Sequence, residues 1–208
     1  MDHLENVNDK TRELILNIEK DIEKMLSSFR LNHCKYVMYK AVELANIYGV
    51  DVNKAALAGL THDIAKELSI EQYMQIAKEN NIVFDEYELE NEDLMHGKIG
   101  AWWVKEHYGF GEDIQKAIAL HTVTDTQMDD LAKIIYISDK VEESRKNSNF
   151  DIEYERKISK ENLDKTIVVI LNNTIKYMIN ENRIIHPSAF TTRNYLLKKI
   201  QNTEDNEI

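Results

Sequence analysis

Cysteine, proline and glycine are all scarce in this chain of 208 residues, at one, one and six respectively. The single cysteine, Cys34, excludes an internal disulfide framework and fits a reducing, cytoplasmic setting. With so few breakers, and with abundant Lys, Glu, Ile, Leu and Asn, the chain favours helices joined by short connections. No apolar run approaches the roughly 18 residues of a membrane span. Met1-Asp2-His3-Leu4-Glu5 has neither the basic nor the apolar stretch of a secretory signal. Basic charge is short too: 26 Lys and Arg face 37 Asp and Glu, a net charge of −11. That balance argues against nucleic acid as a partner. It leaves phosphorylated small molecules open, because bound metal cations can dominate a site locally.

What the chain does have is helical periodicity. Residues 9–26 carry Leu14, Ile15, Ile18, Ile22, Met25 and Leu26 on one stripe. His33 to Tyr48 repeats the pattern and stops at Gly49, a C′ residue, after which Asp51 caps the next helix. That helix is expected to continue through His62-Asp63 to Lys66. Ser69 and Gln72 form a capping box. The acid-rich run Asp85 to Asp93 reads as a solvated connection. Helices follow over about 92–108, 113–120, 128–145 and 160–180, and Pro187-Ser188 opens a last one. The run Thr166-Ile167-Val168-Val169-Ile170 favours strand by composition, but its longer period favours helix. The expected fold is an all-α bundle, a single domain over 1–208 with a site-bearing core at 28–146 and C-terminal helices (147–208) packed on it.

Chemistry concentrates in that core. His33, the doublet His62-Asp63, His96, His121 and Asp139 supply four imidazoles and two carboxylates. This is the ligand inventory of a two-metal hydrolytic site. His33, His62 and Asp139 would complete one metal and His96 with His121 the other, Asp63 reaching between them. Water bridging such ions becomes hydroxide near neutral pH, and the ions clamp a phosphate for in-line attack. Each histidine taken alone reads more readily as a hydrogen-bonded core residue than as a ligand; the ordered set is what is specific.

That ordered set resembles the HD-domain phosphohydrolases. Its finer text is similar to the YqeK-type branch of symmetrical dinucleoside tetraphosphatases. The matching segments are Arg30-Leu-Asn-His33-Cys34, Leu60-Thr-His62-Asp63-Ile-Ala-Lys66, His96-Gly97, Ala117-Ile-Ala-Leu-His121-Thr122 and Asp139-Lys140-Val-Glu142-Glu-Ser-Arg145. A weaker echo lies at Ile185-His186-Pro187 and Arg193-Asn194-Tyr195. The resemblance implies an HD helical bundle, with His33, His62, Asp63 and Asp139 on one metal and His96, His121 and Asp63 on the other. It implies iron, as divalent or mixed-valence ions, with manganese, cobalt or zinc as alternatives. It also implies hydrolysis of diadenosine tetraphosphate to two ADP by a metal-bridging hydroxide. The chain departs from the branch at Thr122-Val123-Thr124, where glycine is common, and at Ser138, where alanine is common.

Around this set, Lys66 lies four residues after His62 and three after Asp63. It could serve catalysis and bind a phosphate, with Asp63 as the central catalytic ligand. Arg145 could bind a terminal phosphate, but an ideal helix turns it about 120° from Asp139, leaving a pairing with Glu142 or Glu143 as the other reading. Thr122 could donate to phosphate or merely finish a helix. Cys34 suits packing, Trp102-Trp103 offer a weak base platform, and His186 suits a turn. No residue stands out as the base pocket. The expected partners are a nucleotide substrate and a nucleoside diphosphate product, with no nucleic acid, no membrane and room for a homodimer. The rival readings are another HD nucleotide phosphohydrolase, acting on a mononucleotide or guanosine alarmone, and a non-catalytic nucleotide-binding regulatory module.

Overall fold

The computed structural model describes residues 3–146 and 151–205, and every regular element in them is helical. The helices are α1 (Asp9–Ile22), α2 (Ser28–Tyr48), α3 (Val52–Thr61), α4 (Ile70–Asn80), α5 (Glu86–Glu90), α6 (His96–Tyr108), α7 (Glu112–Ala119), α8 (Asp130–Val141), α9 (Ile152–Ser159), α10 (Leu163–Asn180) and α11 (Pro187–Asp205). A 3-10 turn at Glu92–Leu94 precedes α6. The expected boundary at residue 147 and the residues Met1-Asp2 lie outside the described residues.

Local chemistry accounts for most of the boundaries. Side chains of Asn8, Ser27, Asp51, Ser69 and Asp129 accept hydrogen bonds from the first free N–H groups of α1, α2, α3, α4 and α8. Ser69 and Gln72 form the full capping box. Gly49 and Gly109 end α2 and α6 at φ 68° and 64°, left-handed values that cost a residue with a Cβ. Over 163–180 the long period prevails over the β-branched run, giving α10.

Three local expectations change. The helix carrying the doublet ends at Thr61, so His62 is its C-cap and Asp63 lies beyond it. From there Ile64 and Lys66 bond back three residues, to Thr61 and Asp63. The acidic run is not merely solvated: it forms α5 and buries Glu88 against Lys98 Nζ at 2.6 Å. Helix α9 was not expected at all, since its mean hydropathy is low and its buried face is only Glu155, Ile158 and Ser159.

One large apolar cluster runs from Val7 to Leu196, centred on Ile18, Met38, Leu44, Leu60, Ile134, Ile135 and Ile137. It packs α2 against α3 and α8, α7 against α6 and α8, and α10 between α8 and α11. A smaller cluster of Ala65, Tyr73, Ala77, Met95 and Ile99 seats α4 beneath α6. The contact of α2 with α3 is close because Gly59 faces Met38: a Cβ there would stand 2.8 Å from the Met38 Cα. Since backbone cannot swing aside, Gly59→Ala should lower unfolding free energy by about 1–3 kcal/mol. Urea denaturation measures this, and unchanged stability would show that α2 and α3 are free to separate.

Candidate metal centre

Two helix bodies and three helix ends converge on one buried point. His33 projects from α2 and Asp139 from α8, while His62 and Asp63 follow α3, His96 opens α6 and His121 follows α7. All six are buried. The same local device fixes two of the imidazoles. His62 Nδ1–H donates to Gly59 O at 2.8 Å, and His121 Nδ1–H donates to Ile118 O at 2.6 Å. Each bond goes to a carbonyl in the last turns of a helix; Ile118 O also accepts the His121 backbone N–H at 3.4 Å. Because a carbonyl only accepts, the proton sits on Nδ1, and both Nε2 lone pairs point inward. Helix ends are therefore part of the site and not just its scaffold.

Asp63 sits between two groups of imidazoles. Its Oδ1 lies 3.0 Å from His96 Nε2 and 3.4 Å from His121 Nε2. Its Oδ2 lies 3.5 Å from His62 Nε2 and 3.8 Å from His33 Nε2. Asp139 Oδ1 closes the second side, 3.0 Å from His33 Nε2 and 3.7 Å from His62 Nε2. Ligand atoms within 4.8 Å of one another form the groups His33, His62, Asp139 and His62, Asp63, His121. His62 is thus common to both groups, and His96 adjoins the second, its Nε2 2.9 Å from that of His121. Gly97 permits this last approach, because a Cβ there would meet Thr122 Oγ1 at 2.8 Å and Ala119 O at 2.9 Å.

The donor set fits a divalent cation. His62 Nε2 is fully buried and has no hydrogen-bond partner among the described residues. Its lone pair faces two carboxylates, an arrangement that repels unless a cation stands between. Leaving such an atom unsatisfied costs about 1–3 kcal/mol. Imidazole with carboxylate, and no thiolate, is the donor chemistry of borderline transition metals. Cys34 stays outside this set: it is buried, and burial pushes its thiol well above the ordinary range.

Electrostatics agree. Burial alone would raise Asp63, but attraction to the protonated forms of His62, His121 and His96 pulls it well below the ordinary carboxylate range. For Asp139 burial is likewise outweighed, here by Lys140, His33, His62 and Arg145. Burial pulls His96 down to about 4 and lowers His121, whereas His33, wedged between Asp139 and Glu142, is raised despite burial.

Cations ring the carboxylates. Arg30 Nη1 donates to Asp63 Oδ2 at 2.8 Å, Lys140 Nζ to Asp139 Oδ2 at 2.7 Å, and Arg145 Nη2 to Asp139 Oδ1 at 2.8 Å. Arg145 reaches Asp139 because α8 ends at Val141 and the chain folds back, so the ideal-helix projection fails. Its Nε is 3.9 Å from Glu142 Oε1. Lys66 Nζ bonds Asp93 Oδ1 at 2.8 Å and lies 3.4 Å from His96 Nδ1, close to the ligand set although no helix carries it there. Thr122 Oγ1 instead donates to Leu94 O at 3.1 Å. Trp103 stacks on His107, with Trp102 edge-on to both, and His186 pairs with Asp85 at 2.8 Å.

Two residues here were not singled out from sequence. Arg30 is one turn before His33, and Glu142 is three after Asp139, receiving His33 Nδ1 at 3.1 Å. Spacing from a ligand on the same element was the available signal.

A helical protein with a buried histidine-aspartate cluster of metal-ligand spacing is what fold and site define. A family model described as the HD domain matches residues 30–144, and the chain belongs to that family. Within it, the chain is 32% identical to a Halalkalibacterium halodurans protein, covering 85% of this chain and 93% of that one. A Bacillus subtilis protein is 31% identical, with 85% and 94% covered. Both are named "Bis(5'-nucleosyl)-tetraphosphatase, symmetrical". The fold is also that of a Clostridium acetobutylicum crystal structure described as a "predicted HD superfamily hydrolase involved in NAD metabolism". There the TM-score is 0.84 at 34% identity, covering 88% of this chain and 96% of that one.

The shifts give a pH signature for the metal-free protein. His96 and His121 stay neutral in the fold while unfolded imidazoles take protons below about pH 6.5, so stability falls as pH drops through that value. Asp63 and Asp139 contribute stability above about pH 4 that is lost below it. The raised His33 contributes fully by pH 6.5 and does not offset further loss. Thermal melts between pH 6.5 and 4 should therefore decline less steeply in His96→Asn than in the natural sequence; equal slopes would contradict a neutral His96.

Proposed function

We propose that this chain is a metal-dependent hydrolase that splits a dinucleoside tetraphosphate, of the diadenosine type, into two nucleoside diphosphates. The observation that carries the metal reading is the two-sided carboxylate Asp63, with imidazole nitrogens gathered at each oxygen. The substrate class follows from the names of the relatives and from the cations at the mouth of the site.

His33, His62, Asp139 and Asp63 Oδ2 would hold one ion, and His96, His121 and Asp63 Oδ1 a second. Iron suits this donor set, as do manganese, cobalt and zinc. Ions bound there supply an activated water and neutralise phosphate oxygens. Glu142 fixes the His33 ring by accepting from Nδ1, which leaves Nε2 as the ligand atom. Glu142 itself is held by Ser144 Oγ at 2.7 Å.

The phosphate chain meets Lys66, Arg30, Lys140 and Arg145. Lys66 can exchange Asp93 for a phosphate oxygen cheaply, since the Asp93 side chain is 72% exposed. Arg145 offers a guanidinium fork to phosphate oxygens. Thr122 ties the turn before α6 to the end of α7, and we assign it no phosphate contact. The leaving ADP is already a stabilised anion, so the site needs no strong general acid. Symmetric cleavage requires the second phosphate from one nucleoside to lie over the ions.

Metal-loaded protein incubated with diadenosine tetraphosphate should yield ADP alone by chromatography; ATP with AMP would contradict the reading. Glu142→Gln should weaken metal binding by about 10- to 100-fold in a chelator competition titration, while unchanged affinity would deny Glu142 its orienting role.

A further inference from the structure

Between the end of α8 and the packed pair α9 and α10 lies a crevice of about 80 Å³, lined by Lys140, Arg145, Ile152, Glu155, Asn173 and Thr174, with Ile170 at its wall. One end adjoins the candidate metal centre, because Lys140 Nζ and Arg145 Nη2 both donate to Asp139, at 2.7 and 2.8 Å. At the other end stands a carboxylate that the chemistry above does not use. Glu155 is only 4% exposed, its side chain receives one hydrogen bond, from Asn173 Nδ2 at 2.7 Å, and it forms no ion pair among the described residues. Burial raises its pKa; Asn173 opposes the shift and Asp151 adds to it.

A buried carboxylate with no counter-ion is costly and needs hydrogen-bond donors. Among the described residues one such donor, Asn173, reaches Glu155, and Glu155 lines the crevice. A phosphate is excluded there by like charge, and the space is too small for a base together with its sugar. A vicinal diol fits: it offers two adjacent O–H donors to two carboxylate oxygens, the way acidic residues hold ribose in dinucleotide-binding folds. Ile152 and Ile170 present apolar surface to the carbon face of such a ring.

We propose that this crevice is the ribose subsite for one nucleoside diphosphate half of the substrate, with Glu155 accepting from the 2′- and 3′-hydroxyls and Asn173 orienting the carboxylate. The assignment rests on the dinucleotide reading above. It gives the substrate a direction: second phosphate over the ions, first phosphate at Lys140 and Arg145, sugar at Glu155. It also makes α9 and α10, outside the ligand-bearing helices, responsible for setting the register of cleavage.

The test compares ADP with 2′,3′-dideoxy-ADP by calorimetry on the metal-loaded protein, as the natural sequence, Glu155→Gln and Asn173→Ala. The natural sequence should prefer ADP by on the order of tenfold, as expected for hydrogen bonds to a charged group. That ratio should shrink towards one in Glu155→Gln and narrow in Asn173→Ala. Because the ratio is taken within each protein, it does not depend on how much of a variant folds. A structural tie between α9 and α10 alone would leave the ratio unchanged. Equal affinity of the natural sequence for the two nucleotides, or a ratio that Glu155→Gln preserves, overturns the ribose subsite. Release of ATP and AMP from the dinucleotide overturns instead the reading on which it rests.

Discussion

The site depends on one unfavourable arrangement, the lone pair of His62 Nε2 aimed at the carboxylates of Asp63 and Asp139 in a fully buried setting. In the neutral ring the single proton lies on the other side, toward the Gly59 carbonyl. A metal cation between these groups, or a second proton on Nε2, turns repulsion into attraction. Protein cations compensate the carboxylates: Arg30 bonds Asp63 Oδ2, Arg145 bonds Asp139 Oδ1, and Lys140 bonds Asp139 Oδ2. Asp63 Oδ1 faces His96 and His121 and takes none of these three bonds. The same cations then line the approach of an anionic substrate, so charge compensation and substrate attraction come from one set of side chains.

Helix ends make this arrangement affordable. Near the ends of α3 and α7 a backbone carbonyl accepts from an imidazole three residues on, whose other nitrogen faces inward. Two glycines supply the distances. Gly59 lets α3 approach the α2 backbone that carries His33, and Gly97 lets α6 approach the end of α7, bringing His96 to His121. Packing and chemistry are therefore coupled: a methyl group at either glycine shifts ligands as well as helices.

The six candidate ligands were legible in the sequence because imidazoles and carboxylates are few and their order is distinctive, and the structure brings all six together. Helix periodicity likewise revealed most elements, Gly49 and Gly109 marked two ends, and the long period correctly outweighed the β-branched run in α10. Fold-back was not legible. His62-Asp63 lies past the end of its helix, and Arg145 reaches Asp139 only because α8 stops at Val141; a straight-helix projection places both wrongly. Helix α9 was hidden for a related reason, since its inward residues include Glu155 and Ser159, which carry no apolar signal. Arg30 and Glu142 stood in the matching segments, but their roles beside Asp63 and His33 were not read, because long charged side chains read as surface until a buried partner is seen.

Diffraction from manganese-loaded crystals, with the ions located by their anomalous signal, bears most directly on the arrangement around Asp63. Two peaks are expected about 3.5–4 Å apart, one against Oδ2 with His33, His62 and Asp139, the other against Oδ1 with His96 and His121. A single peak on one side of Asp63, or ions bound away from it, would contradict the two-metal site.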